Sequence, residues 1–318
     1  MEILLNIVLL VVGFVLLIKG ADFFVDGSAS LAKKMKIPSL IVGLTIVAMG
    51  TSAPELAVSI SSAVKGSNGL AVSNVIGSNM FNLLMVLGVC AAITPIAVNK
   101  EVVKRDYPVS VAAMIMFIVF IIDGTLARWE GAVLLIALIG YIIMSIKLAK
   151  SNKTDDEAPE KFSPIKCALS IIGGAAGIVL GGQLVVDNAQ SIAMAAGMSE
   201  TLVGLTICAM GTSLPELVTS ITASKKGEND MAVGNVVGSN IFNALGILGV
   251  SGVITPIALE GTAGTEALID GIILVVASIA AFVCCVTGMK ISRVQGVVLV
   301  LIYAAYMVYV IMRNYLLI

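Results

Sequence analysis

The chain has 318 residues, 58% of them hydrophobic and 12% charged, with net charge −1 and mean hydropathy +1.07. A soluble domain carries about 25% charged residues, so a soluble globular class is excluded, and no basic cluster offers nucleic acid a surface. The absence of histidine removes histidine metal sites, histidine-based catalytic triads and histidine proton relays.

Apolar runs long enough to cross a bilayer recur along the whole chain. Divided at charged residues and at Gly/Pro breaks, they predict ten helices, at about 3–23, 38–64, 70–95, 107–124, 129–149, 164–186, 200–223, 231–257, 266–287 and 293–312. The first run, MEILLNIVLLVVGF, has neither a basic n-region nor a small-residue cleavage site, and is expected to be a retained helix. Five cysteines, Cys90, Cys167, Cys208, Cys284 and Cys285, lie in or near the spans at no metal-ligand spacing and read as buried small hydrophobes. The one clearly hydrophilic stretch, KSNKTDDEAPEKFS, divides the chain into a first five-helix repeat (1–149), a linker loop (150–163) and a second five-helix repeat (164–318).

The halves repeat in sequence. GLTIVAMGTSAPELAVSI (43–60) and GLTICAMGTSLPELVTSI (204–221) agree at 14 of 18 positions; AVSNVIGSNMFNLLMVLGV (71–89) and AVGNVVGSNIFNALGILGV (232–250) agree at 13 of 19. ITPIA recurs at 93–97 and 254–258, and every match keeps the same offset of 161 residues. Two sequential repeats of an odd number of spans enter the membrane from opposite sides. The expected fold is therefore an all-α polytopic membrane protein of ten transmembrane helices in two inverted-topology repeats, an architecture that places a transport site at the midplane. Fifteen lysines and arginines fall in one set of loops, including Lys33, Lys104, Lys150 and Lys226, and three (Lys65, Arg128, Arg313) in the other. The positive-inside rule makes the richer side cytoplasmic, with the central loop inside and both termini outside.

The matched motifs carry the chemistry. In GTSAPE, Pro54 has no N–H and clashes with the carbonyl four residues back, so the helix must kink or unwind near residues 50–52. Carbonyls freed there cannot face lipid. Thr51 and Ser52 add hydroxyls and Glu55 a charge; Thr212, Ser213, Pro215 and Glu216 repeat the pattern. All of these donors are hard oxygens, suited to sodium or calcium and not to zinc, copper or iron. An isolated acid at the bilayer centre costs roughly 2.5–3.5 kcal/mol or more. No lysine or arginine lies in either motif to pair with the glutamates, which leaves a cation as their natural partner. The second motif, NVxGSNxFN, supplies Asn74, Ser78, Asn79 and Asn82 with their mates Asn235, Ser239, Asn240 and Asn243. Ser78 and Asn82 share a helical face. Asn74, Asn79, Asn235 and Asn240 read equally well as interhelical hydrogen-bonding residues. The glycines Gly173, Gly177 and Gly181 read as a helix-packing stripe, and Asp155, Asp156 and Glu157 as a solvated loop. Asp26 and Asp187 match across the repeats without an assigned role.

On GTSAPE with GSNMFN and GTSLPE with GSNIFN, the sequence resembles the sodium/calcium exchanger family, within the cation/calcium exchanger superfamily. It is most similar to its compact prokaryotic members. The resemblance implies calcium and sodium as transported ions, no other cofactor, and a monomer functional in the cell membrane. It implies Glu55 and Glu216 as central calcium ligands, with Asn82 and Asn243 completing that site. Thr51 and Thr212 would contribute carbonyls to the calcium site. Ser52, Ser78, Ser213 and Ser239 would line flanking sodium sites, with carbonyls from Ala48 and Ala209. The first and sixth helices would slide as a gate. Some members carry aspartate where this chain has Asn243, so its cavity holds two formal negatives, matched by one calcium and exceeded by three sodium ions. The resemblance implies sodium/calcium antiport. Proton/calcium antiport and a potassium-dependent sodium/calcium exchange remain alternatives; the inverted repeat disfavours a channel, and an enzyme is disfavoured because the chain has no histidine to act as base and Lys65 and Lys225 lie at helix ends rather than beside Ser52 or Ser213.

Overall fold

The computed structural model describes residues 2–151, 162–198, 207 and 209–316. Its elements are nearly all helices: α1 Glu2–Met35, α2 Ser39–Thr51, α3 Ala53–Val64, α4 Asn68–Ile93, α5 Tyr107–Phe120, α6 Arg128–Ser151, α7 Pro164–Ala195, α8 Leu214–Lys225, α9 Asn229–Ile254, α10 Ala263–Val286 and α11 Arg293–Leu316. Among the described residues, seven helices are long and apolar enough to cross a membrane, or eight when the bent pair α2–α3 is counted as one span. Outward-facing Leu4, Ile136, Ile172 and Val294 are 67–74% exposed, which suits lipid and not water.

The proline kink falls where the sequence places it. Ser52 leaves helical geometry at φ −82°, ψ 10°, Pro54 opens α3, and the axis bends by 48°. Ser213 (φ −96°, ψ 6°) and Pro215 do the same ahead of α8. Proline tolerates a first turn because its missing N–H would have no partner there. The π-helical turns at Gly43–Val47, Phe81–Val86, Val102–Asp106 and Phe242–Ile247 were not expected from the sequence. Each widens the helix locally and rotates the residues beyond it, a distortion that occurs often at functional sites.

Two predicted boundaries fall short. The first helix runs to Met35, not to 23, and carries Asp22 and Asp26 four apart within it, both paired by Lys226 at 3.3 and 3.1 Å. The sixth runs to Ala195 rather than 186. These two long helices pack along each other through glycines. A Cβ on Gly181 would lie 2.5 Å from the Leu17 nitrogen, and one on Gly174 2.6 Å from that of Phe24. The packing stripe is therefore Gly174, Gly177 and Gly181; Gly173 faces open space. The predicted helix over 200–223 is described as a three-residue piece, Ala209–Gly211, and α8. Residues 200–206 of it, Cys208 and the acidic trio 155–157 lie outside the described residues.

Short strands tie the halves. β1 Ile96–Ala97 pairs antiparallel with β4 Lys290–Ile291, and β2 Thr125–Leu126 with β3 Ile257–Ala258. β1 and β3 are themselves related by the 161-residue offset, so each link joins one half to the other. The two links gather the loops into two sets. Asn99 meets Asp230 in the set that holds β1 and β4, whereas Asn68 meets Ala258 in the set that holds β2 and β3. The centre is built by α4 and α9, whose Val75, Met80, Leu84, Val236, Val237 and Leu245 are buried in one continuous cluster.

Candidate ion-binding site

Each half brings its motif serine to the other half's glutamate. Ser213 Oγ donates to Glu55 Oε1 at 2.8 Å, and Ser52 Oγ to Glu216 Oε1 at 2.8 Å. Ser78 Oγ donates to the same Glu55 oxygen at 3.2 Å and lies 2.9 Å from Ser213 Oγ. Ser239, the mate of Ser78, faces the Glu216 carboxyl and approaches the Ala48 carbonyl at 3.5 Å. Glu55, Glu216, Ser52, Ser213 and Ser239 are completely buried, and Ser78 nearly so. Kinks at Ser52 and Ser213 put these groups at the helix breaks, so the expected motif residues do come together across the two halves.

Main-chain positions are held by further side chains. Asn74 Nδ2 donates to the Glu55 carbonyl (3.2 Å) and to Ser59 Oγ (2.9 Å); Asn235 Nδ2 donates to the Glu216 carbonyl (3.5 Å) and to Ser220 Oγ (2.9 Å). Their Oδ1 atoms accept from Thr212 Oγ1 at 3.4 Å and Thr51 Oγ1 at 3.1 Å. The Ala48 carbonyl accepts the Ser52 N–H at 3.0 Å and Thr51 Oγ1 at 3.3 Å. Ala209 begins the three-residue helical piece before Thr212. Ser59 and Ser220, which sequence reasoning passed over, are also matched at the 161-residue offset, and that offset was the signal for them.

Among the described residues, four side-chain oxygens in this constellation are buried without a hydrogen-bond partner: Glu55 Oε2, Glu216 Oε2, Asn82 Oδ1 and Asn243 Oδ1. They form two matched pairs, one acid and one amide from each half. Buried polar atoms in proteins are otherwise nearly always satisfied. Two carboxylates and two amide oxygens, with hydroxyls beside them, make a donor set for a hard cation.

A family model described as sodium/calcium exchanger protein matches residues 5–147 and 166–312, nearly the whole chain. The chain belongs to the sodium/calcium exchanger family. The two matched segments of this exchanger part company at the same central loop as its internal repeats. It is similar to the sodium/calcium exchanger MaX1 of Methanosarcina acetivorans, with 30% identity over 95% of this chain and 97% of that one. It is also similar to the inner membrane protein YrbG of Escherichia coli, with 36% identity over 93% and 94% of the two chains. Among solved structures, it superposes on the sodium-calcium exchanger NCX_Mj with a TM-score of 0.84 and 32% identity, covering 97% of this chain and 99% of that one. The exchanger is thus a multi-pass membrane protein of a cation/calcium antiport family, and a transporter family rather than an enzyme family.

Proposed function

We propose that this chain is a secondary antiporter that exchanges sodium for calcium by alternating access. The observation that carries the reading is the set of four unpartnered oxygens on Glu55, Glu216, Asn82 and Asn243. One calcium offsets both carboxylates and takes up all four oxygens. Serines 52, 78, 213 and 239 border the glutamates and serve flanking sodium ions with carbonyls of Ala48 and Ala209, while the Thr51 and Thr212 carbonyls add to the calcium site.

The same reading has ten spans in two inverted repeats, 1–149 and 164–318, joined by the cytoplasmic loop 150–163. The strand links support it: an alternating ten-span path puts β1 and β4 on the cytoplasmic side and β2 and β3 outside. The matched positions are also unequally packed. Met231 is fully buried while its mate Leu70 is 56% exposed. Under the proposed orientation the cytoplasmic half is closed and the extracellular half open, and exchange of the two packings between the repeats delivers the ion inward.

Proteoliposomes loaded with sodium test this. Calcium uptake that follows the sodium gradient and ignores imposed proton and potassium gradients is expected. Uptake that follows a proton gradient without sodium establishes proton/calcium exchange instead, and an absolute need for potassium establishes the potassium-dependent form.

A further inference from the structure

The motif asparagines that meet across the two halves form two directed hydrogen-bond relays. In the first, Asn79 Nδ2 donates to the main-chain carbonyl of Asn240 at 3.3 Å, Asn79 Oδ1 accepts from Asn243 Nδ2 at 3.0 Å, and Asn243 Oδ1 is left without a partner. In the second, Asn240 Nδ2 donates to the Asn79 carbonyl at 3.3 Å, Asn240 Oδ1 accepts from Asn82 Nδ2 at 3.2 Å, and Asn82 Oδ1 is left. All four side chains are at most 2% exposed.

Each relay has a polarity fixed by its main-chain end. A carbonyl only accepts, so the side-chain group facing it must be an NH2. That turns the oxygen of Asn79 toward Asn243, which must then offer its own NH2 and point its oxygen away. The second proton of that NH2 goes to Ser78 Oγ at 3.0 Å, so the donor end of Asn243 is fully used. The two ends of an amide are nearly equal in size, so packing alone does not select between them; hydrogen bonding does.

We propose that Asn79 and Asn240 are positioning residues for the transported cation. Asn79 orients the amide of Asn243, and Asn240 that of Asn82, so that each presents oxygen and not NH2 to the ion. The proposal rests on the reading of Asn82 and Asn243 as ion ligands. A reversed amide would aim positive N–H dipoles at a cation in a buried site, where water does not screen them. Each orienting residue acts on a ligand of the other repeat, so the polarity of the site is set only where α4 meets α9.

The test measures calcium-uptake KM and Vmax in proteoliposomes and calcium binding by calorimetry, each with wild type beside the variants. Asn79→Leu removes the acceptor that orients Asn243, and calcium KM should rise about 10- to 100-fold, the usual effect of losing a partner that orients a metal ligand, with Vmax changed less. A carboxylate has no wrong end. Adding Asn243→Asp to Asn79→Leu should therefore restore most of the affinity, while adding Asn82→Asp should not. For Asn240→Leu the pattern inverts: Asn82→Asp rescues and Asn243→Asp does not. Equal rescue by both aspartates would reduce the effect to added charge and overturn the proposal, as would no rescue by either. If neither leucine variant gives monodisperse protein even with its matching aspartate, the two asparagines are structural ties and the proposal fails. Absence of calcium binding in the wild type would instead defeat the site reading beneath it.

Discussion

Ser213 and Glu55, 158 residues apart in sequence, meet at 2.8 Å, and the hydroxyl donates to the carboxylate. The relationship is reciprocal: Ser52 reaches Glu216 over the same distance. Neither half can complete its own site. In the proposed antiporter, this crossing ties ion binding to the relative position of the repeats.

Each glutamate should be indispensable. Glu55→Gln or Glu216→Gln removes one of two formal charges from a completely buried site. In the proposed site each carboxylate pairs with calcium, and removing one partner of a buried charge pair costs roughly 2–5 kcal/mol, so calcium uptake should fall at least about thirtyfold. Expression and gel-filtration profile should be unchanged, because glutamine keeps the size and one oxygen. Radiolabelled calcium flux into vesicles reads this out, and wild-type flux in either variant would remove the carboxylates from the ion path.

The glycine contacts between α1 and α7 predict a contrast between neighbours. Gly174→Ala places a Cβ 2.6 Å from the Phe24 nitrogen, whereas Gly173→Ala meets nothing within 4 Å. Overpacking against backbone costs about 1–3 kcal/mol, so the first should lower the melting temperature in detergent and the second should leave it unchanged or raise it slightly, since alanine favours helix. Equal melting temperatures would mean that the two helices are not in backbone contact.

Lys226 pairs with Asp22 and Asp26 of α1, whereas among the described residues no ion pair joins the matched Lys65 and Asp187. The pair is about a third exposed, so it contributes only about 0.2–1 kcal/mol. Lys226→Gln should therefore shift the balance between the two packings modestly, by about 1.4- to 5-fold. In a cysteine-free background, labelling of Leu70→Cys should slow and that of Met231→Cys should quicken when this lysine is changed. Unaltered rates at both positions would show that the ion pair favours neither packing.

The orientation can be checked by chemistry. In the same cysteine-free background, Ser151→Cys should resist a membrane-impermeant thiol reagent in intact cells, and a cysteine appended after Ile318 should react. The opposite pattern would invert the protein in the membrane and leave its fold intact.

Much of the site was legible because duplication marks it. The offset of 161 residues singled out Glu55, Glu216 and the motif serines before any geometry, and Pro54 announced the break at Ser52. The π turns were not legible, because an extra residue in a turn leaves no mark on an unbroken apolar run such as FNLLMV. Nor was the length of α1 legible. Hydropathy ends a helix at its charges, and the partner of Asp22 and Asp26, Lys226, lies 200 residues beyond Asp26. Asn79 and Asn240 were visible as matched residues, but their direction of hydrogen bonding emerged only when the two halves were placed against each other.

Calcium in the proposed site can be located by its anomalous scattering in a crystal of the exchanger grown with the ion. A single strong peak is expected between the repeats, about 2.3–2.6 Å from Glu55 Oε2, Glu216 Oε2, Asn82 Oδ1 and Asn243 Oδ1, displaced when sodium replaces calcium in the soak. A peak elsewhere, such as among Glu101, Glu228 and Asp230 at the rim, with none between the two glutamates, would show that the four unpartnered oxygens do not hold the transported calcium.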